Sequence, residues 1–125
     1  MRYALAFLAF AALGAAAAYA QHSHSHATKG PNGGRMQDVA GVHAELLTAG
    51  GSITVNIFDE ANKPLDAKGY TASALIVAGA NRETVTLTPA GGNALKGEAK
   101  APILNGAAIT LVLKTAAGKS GQVKF

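Results

Sequence analysis

The chain has 125 residues, 49% of them hydrophobic, and a formal net charge of +4 at pH 7. It contains no cysteine, which excludes disulfides, a thiol nucleophile and a lipid-modified cysteine behind a leader. Its lysines are scattered singly and only 6% of its residues are aromatic, so the basic patch and stacking rings of a nucleic-acid binder are missing and no such partner is expected.

Residues 1–20, MRYALAFLAFAALGAAAAYA, have the layout of a secretory signal peptide. Arg2 supplies the positive start, Ala4 to Ala18 the apolar middle, and Ala18-Tyr19-Ala20 the small-x-small site for cleavage before Gln21. The rival reading is a retained anchor, since the apolar run approaches the ~20 residues that span a bilayer. Alanine dominates the run and no basic cluster follows it, which favours cleavage and predicts a periplasmic protein with no membrane anchor after processing. Cutting after Ala20 leaves 105 of the 125 residues, enough for one domain with its own core.

Residues 21–34 read as a flexible His/Gly-rich arm. Three of the four histidines, His22, His24 and His26, alternate here with serine, and the segment ends in Gly30-Pro31-Asn32-Gly33-Gly34. Residues two apart in an extended chain project to the same side, with Cα atoms ~7 Å apart. Two imidazoles at that spacing can bend onto one ion, and imidazole nitrogen suits Cu(II) and Zn(II). Cleavage also frees an α-amine beside His22, unless Gln21 cyclises. The bland alternative is a soluble spacer that happens to be rich in His and Ser.

From Arg35 to Phe125 the texture is short runs of period two divided by glycine-rich turns. The clearest is Ser52-Ile53-Thr54-Val55-Asn56-Ile57-Phe58, with Ile53, Val55 and Ile57 on one face. Glu83–Thr88, Ile109–Leu113 and Val123–Phe125 follow it. Arg35–Val39, Val42–Leu47, Ala72–Ala78 and Ala94–Ala99 are weaker runs. Turns about every ten residues, with no helical stripe, predict an antiparallel immunoglobulin-like β-sandwich of about 7–8 short strands over residues 35–125. Pro64 marks Asp59–Leu65 as a loop or an edge, and the chain as far as Tyr70 as a crossing between the sheets.

His43 is the one histidine in this folded part. In Val42-His43-Ala44-Glu45-Leu46, His43 and Glu45 share a strand face, where they can ligate together or Glu45 can orient the ring. The plainer reading is a solvated surface pair. Met36 offers a thioether but is more commonly core filler. Without a nucleophile elbow or a phosphate-binding glycine loop, the chain reads as a non-enzyme.

The order GPNGG at 30–34, VHAEL at 42–46, Asp59 to Leu65, and LTPAGGNAL at 87–95 resembles a group of small exported bacterial proteins. These carry a His-rich N-terminus, a GPHGG-like motif, an HxEL strand and a PAGGN-L turn. The sequence is also similar to the N-terminal β-domain of periplasmic adaptor subunits of heavy-metal efflux systems. The resemblance implies a β-domain, a bound transition-metal ion and a periplasmic efflux or adaptor protein as partner. Asn32 stands where the pattern has histidine, and an amide is a poor ligand for such metals.

Together these readings predict a copper- or zinc-binding protein of the periplasm, with His22, His24, His26 and His43 as metal ligands. The alternative is a metal-free structural or interaction module of the envelope, reached by fold analogy alone.

Overall fold

The computed structural model describes residues 28–125. The leader over 1–20 and the ligand candidates His22, His24 and His26 lie outside the described residues. Within them are nine strands and no helix: β1 (Thr28–Lys29), β2 (Arg35–Val39), β3 (Val42–Ala49), β4 (Ser52–Phe58), β5 (Thr71–Ala78), β6 (Asn81–Pro89), β7 (Ala94–Glu98), β8 (Ala108–Lys114) and β9 (Ser120–Lys124).

All pairings are antiparallel, in the order β1-β2-β3-β4-β7-β6-β5-β8-β9. The sheet curls into two layers joined through β6. Ala78 to Ala72 of β5 run against Asn81 to Leu87, while Thr88 and Pro89 pair with Lys96 and Leu95 of β7. One layer is therefore β2-β3-β4-β7 and the other β6-β5-β8-β9, the connectivity of an immunoglobulin-like sandwich with one strand shared between layers. The crossing from β4 to β5 runs through residues 59–70, as Pro64 predicts. It is tied down by the Leu65 N–H on Ile57 O (3.0 Å) and the Ala67 N–H on Gly92 O (2.9 Å).

Alternation decides what lies inside. Ile53, Val55, Ile57, Leu95, Leu111 and Leu113 have no accessible surface and meet in one core. Each buried side chain of this size contributes about 1.5–3 kcal/mol, which is how a cysteine-free domain of this length holds together.

The sheet begins earlier than the period-two pattern predicts. Lys29 and Thr28 pair with Arg35 and Met36, so residues 28–34, read from sequence as the end of the arm, form a short edge strand and its turn. The reason is local: Gly30 N–H donates to Gly34 O (2.7 Å) and Gly33 N–H to Gly30 O (3.0 Å). This folds the chain back on itself without any apolar residue to signal it.

Candidate functional site

The site is built on the outer face of β2, β3 and β4. Register sets Met36, Glu45 and Asn56 in one row and Asp38, His43 and Phe58 in the next. Partners across a sheet point to the same side. This face should be wet, since Ala44, Leu46, Val55 and Ile57 already point inward. Yet Glu45 is fully buried, and Met36, Asn56 and Phe58 retain less than a tenth of their surface.

The Gly30–Gly34 turn is what covers Glu45. Asn32 N–H donates to Glu45 Oε2 (2.8 Å) and Asn32 Nδ2 to Oε1 (2.7 Å). Gly34 N–H donates to Oε2 (3.1 Å), and Asn56 Nδ2 adds a long bond to Oε1 (3.4 Å). Approach this close requires glycine. A Cβ on Gly30 would collide with the Glu45 carboxylate, and one on Gly34 with Leu46 O and Glu45 Cγ. Burial by itself raises the pKa of Glu45, but the donors from Asn32, Gly34 and Asn56 outweigh it and hold the carboxyl below its ordinary value. A carboxylate so fully occupied is a structural clasp with no lone pair left for a metal.

His43 therefore does not work with Glu45, although both lie on one face as the alternation predicts. Its Nδ1 lies 2.8 Å from Asn62 Oδ1, and its Nε2 lies 3.2 Å from Asp38 Oδ1. Asp38 is its cross-strand partner, placed there because the two-residue turn Ala40-Gly41, with φ of 51° and 81°, fixes the β2–β3 register. Asn62 arrives from the loop after Phe58, the other neighbour of His43. Asp59 Oδ1 accepts from the N–H groups of Ala61 (2.8 Å) and Lys63 (2.9 Å), and Asn62 N–H donates to Asp59 O (2.9 Å). This turn holds Asn62 at φ 61°, a left-handed conformation that asparagine tolerates better than most residues.

Asn62 Oδ1 accepts, so Nδ1 supplies the hydrogen of that bond, and Nε2 is the ring nitrogen that faces the Asp38 carboxylate. An approach of 3.2 Å is satisfied by a proton shared in an ion pair or by a cation held between the two atoms. The His43 side chain keeps 23% of its surface and that of Asp38 83%, so the position is open to solvent. Asp38 and Asn62 were not legible as partners from residue type alone. The register implied by Val39-Ala40-Gly41-Val42 was the available signal for Asp38.

Met36 is buried beside Glu45 in the register, which is the filler role. Among the described residues, no group of three or more His, Cys, Asp or Glu side chains is gathered as a ready metal cage. Compared with protein-family models, with curated proteins and with solved structures, the chain matches none.

Proposed function

We propose that this chain is an exported periplasmic protein that binds and buffers a transition metal, copper or zinc, through His43 and the histidines of its N-terminal arm, and that it serves heavy-metal efflux. The observation that carries this reading is the facing of His43 Nε2 and Asp38 Oδ1 at 3.2 Å. Two ligands at ~2.0–2.1 Å from one ion in tetrahedral geometry stand roughly 3.3 Å apart, so the pair has the bite of half a coordination sphere. Asn62 on the remote nitrogen supplies the orienting hydrogen bond that metal-bound imidazoles need. His22, His24 and His26 supply the donors that the described residues lack. The likeness of GPNGG, VHAEL and LTPAGGNAL to exported proteins of metal efflux supports the physiological setting.

The test is titration of the processed protein with Cu(II) and Zn(II), repeated after His22, His24 and His26 are all changed to alanine and again for His43→Ala. Binding is expected to weaken in both variants. Affinity no better than that of an unrelated histidine peptide sinks the reading.

A second reading, a metal-free interaction module, is favoured by a different surface. Leu104 is 65% exposed and borders an apolar depression of about 340 Å³ lined by Ile76, Ala99, Pro102 and Ile103. A wild-type protein indifferent to metal would leave this as the reading to pursue.

A further inference from the structure

The two outer faces of the sandwich carry opposite charge. Across β2, β3, β4 and β7 the outward positions include Asp38, Glu45 and Glu98 against one lysine, Lys96. In the other layer Ala74, Ile76, Val85, Leu87 and Leu111 point inward, so the residues alternating with them face out. Those outward positions hold Arg82, Lys114 and Lys124 and no acidic side chain. The remaining four of the seven acidic residues are kept off this face. Asp59, Glu60 and Asp66 lie between β4 and β5. Glu83 follows Arg82 directly but alternates inward beside Ile76, where it accepts from Lys100 N–H (2.8 Å). Among the described residues none of the three cations forms an ion pair, and all three are exposed.

Register also lays hydroxyls between these cations. Thr84 and Thr110 share a row with Lys124, and Thr71 and Ser120 flank Lys114. The row between them holds Thr86 and Ser73 beside Val112, which is 43% exposed. A shallow depression of about 220 Å³ opens there, lined by Thr71, Ser73, Thr86, Val112 and Lys114.

Spacing and chemistry narrow the ligand. Lys114 lies four residues along β8 from the row of Lys124, about 13 Å, and Arg82 lies three strands from β9, about 14 Å. With side chains standing off the sheet, one small anion does not bridge cations at that spacing, whereas a chain with charges at intervals does. The face carries no aromatic ring, so it offers nothing for nucleic-acid bases to stack on. Serine and threonine hydroxyls both donate and accept, which suits a polymer that carries hydroxyls as well as charge.

We propose that the outer face of β6, β5, β8 and β9 is a docking surface for a linear acidic polysaccharide. Arg82, Lys114 and Lys124 pair with its carboxylates, and the serines and threonines between them hydrogen-bond its hydroxyls. The inference is independent of the metal-binding reading, because His43 and Asp38 lie on the opposite face. Exposed charges are screened over ~10 Å at 0.1 M salt, so binding weakens steeply as salt is added.

Isothermal titration of the protein with polygalacturonate tests this, at low salt with EDTA and at about pH 8, where histidine is neutral. The double change Lys114→Gln and Lys124→Gln is expected to weaken binding by roughly tenfold or more. Lys63→Gln with Lys68→Gln removes the same charge from the β4–β5 crossing and should change it less than about twofold. Thr86→Val, which keeps every charge, should cost about threefold through the lost hydroxyl. Equal losses in the two lysine pairs overturn the face, because net charge alone then draws the polymer. Polyphosphate or phosphatidylglycerol vesicles bound as tightly as polygalacturonate overturn the polysaccharide, as does an unchanged affinity for Thr86→Val. No binding of polygalacturonate at low salt overturns the whole inference and leaves the metal reading as it stands.

Discussion

Asn32 grips Glu45 with backbone and side chain at once, its N–H on Oε2 at 2.8 Å and its Nδ2 on Oε1 at 2.7 Å. The bonds reach across 13 residues of sequence and pin the GPNGG turn to the middle of β3. Hydrogen bonds to a charged group contribute about 1.5–3 kcal/mol each, and the donors suffer if the acceptor is removed. Glu45→Ala should therefore destabilise the domain by about 3 kcal/mol or more, since it orphans the donors of Asn32 and Gly34 and leaves a void. Urea unfolding followed by circular dichroism measures this. A change below 1 kcal/mol would show that the clasp is incidental.

Asn32→Ala keeps the backbone bond and loses the side-chain one, so a smaller loss of about 1.5–3 kcal/mol is expected. Asn32→His restores a ring N–H at the position where the resembled motif carries histidine, and should recover most of it. If both variants unfold at the same urea concentration, the ring does not reach Glu45.

Stability should fall in acid through this same group. The folded Glu45 carboxyl sits below its ordinary pKa because its four donors outweigh burial. Its stabilising contribution is then complete above the unfolded-state pKa and is lost progressively as pH drops through the lowered folded value. Urea midpoints measured from neutral pH downward should decline for the wild type, and decline less steeply for Glu45→Gln. Parallel curves would remove Glu45 from the acid response.

Gly34→Ala is expected to cost about 1–3 kcal/mol by forcing the turn away from Leu46 O and Glu45. Glycine at position 50, whose added Cβ meets nothing within 4 Å but whose φ is +58°, gives a control in which backbone strain acts alone. A larger effect at Gly50 than at Gly34 would contradict the packing argument.

Asn62→Ala removes the orienting partner of His43 while leaving the ring in place. On the proposed metal-binding reading, affinity should drop by roughly tenfold, the lower end for loss of a partner behind a ligand. Isothermal titration checks this, and unchanged affinity would mean that the Asn62 bond, and with it the proposed role of His43, plays no part in binding.

Ile53, Val55 and Ile57 made β4 readable from its alternation, and the same holds for Val85 and Leu87 in β6 and for Ile109, Leu111 and Leu113 in β8. These positions follow from a local rule that the core merely enforces. β1 escaped because Thr28 and Lys29 carry no apolar residue, and their pairing depends on the turn beyond them. Glu45 looked solvated because alternation assigns it to the outer face. Nothing in its own strand announces that a glycine turn from 13 residues upstream will fold over it. His43 stood out by type as a candidate ligand, whereas its hydrogen-bond and ion-pair partners came from register and from a loop conformation, both properties of the folded chain.

β6 belongs to both layers, hydrogen-bonded to β5 along most of its length and to β7 at Thr88 and Pro89. Pulling either half apart must therefore strip a strand from the other, so neither can melt while its neighbour survives. The domain should behave as one cooperative unit, with intensity changes of β-sheet and of Tyr70 superimposing on a single thermal transition despite the absence of covalent cross-links.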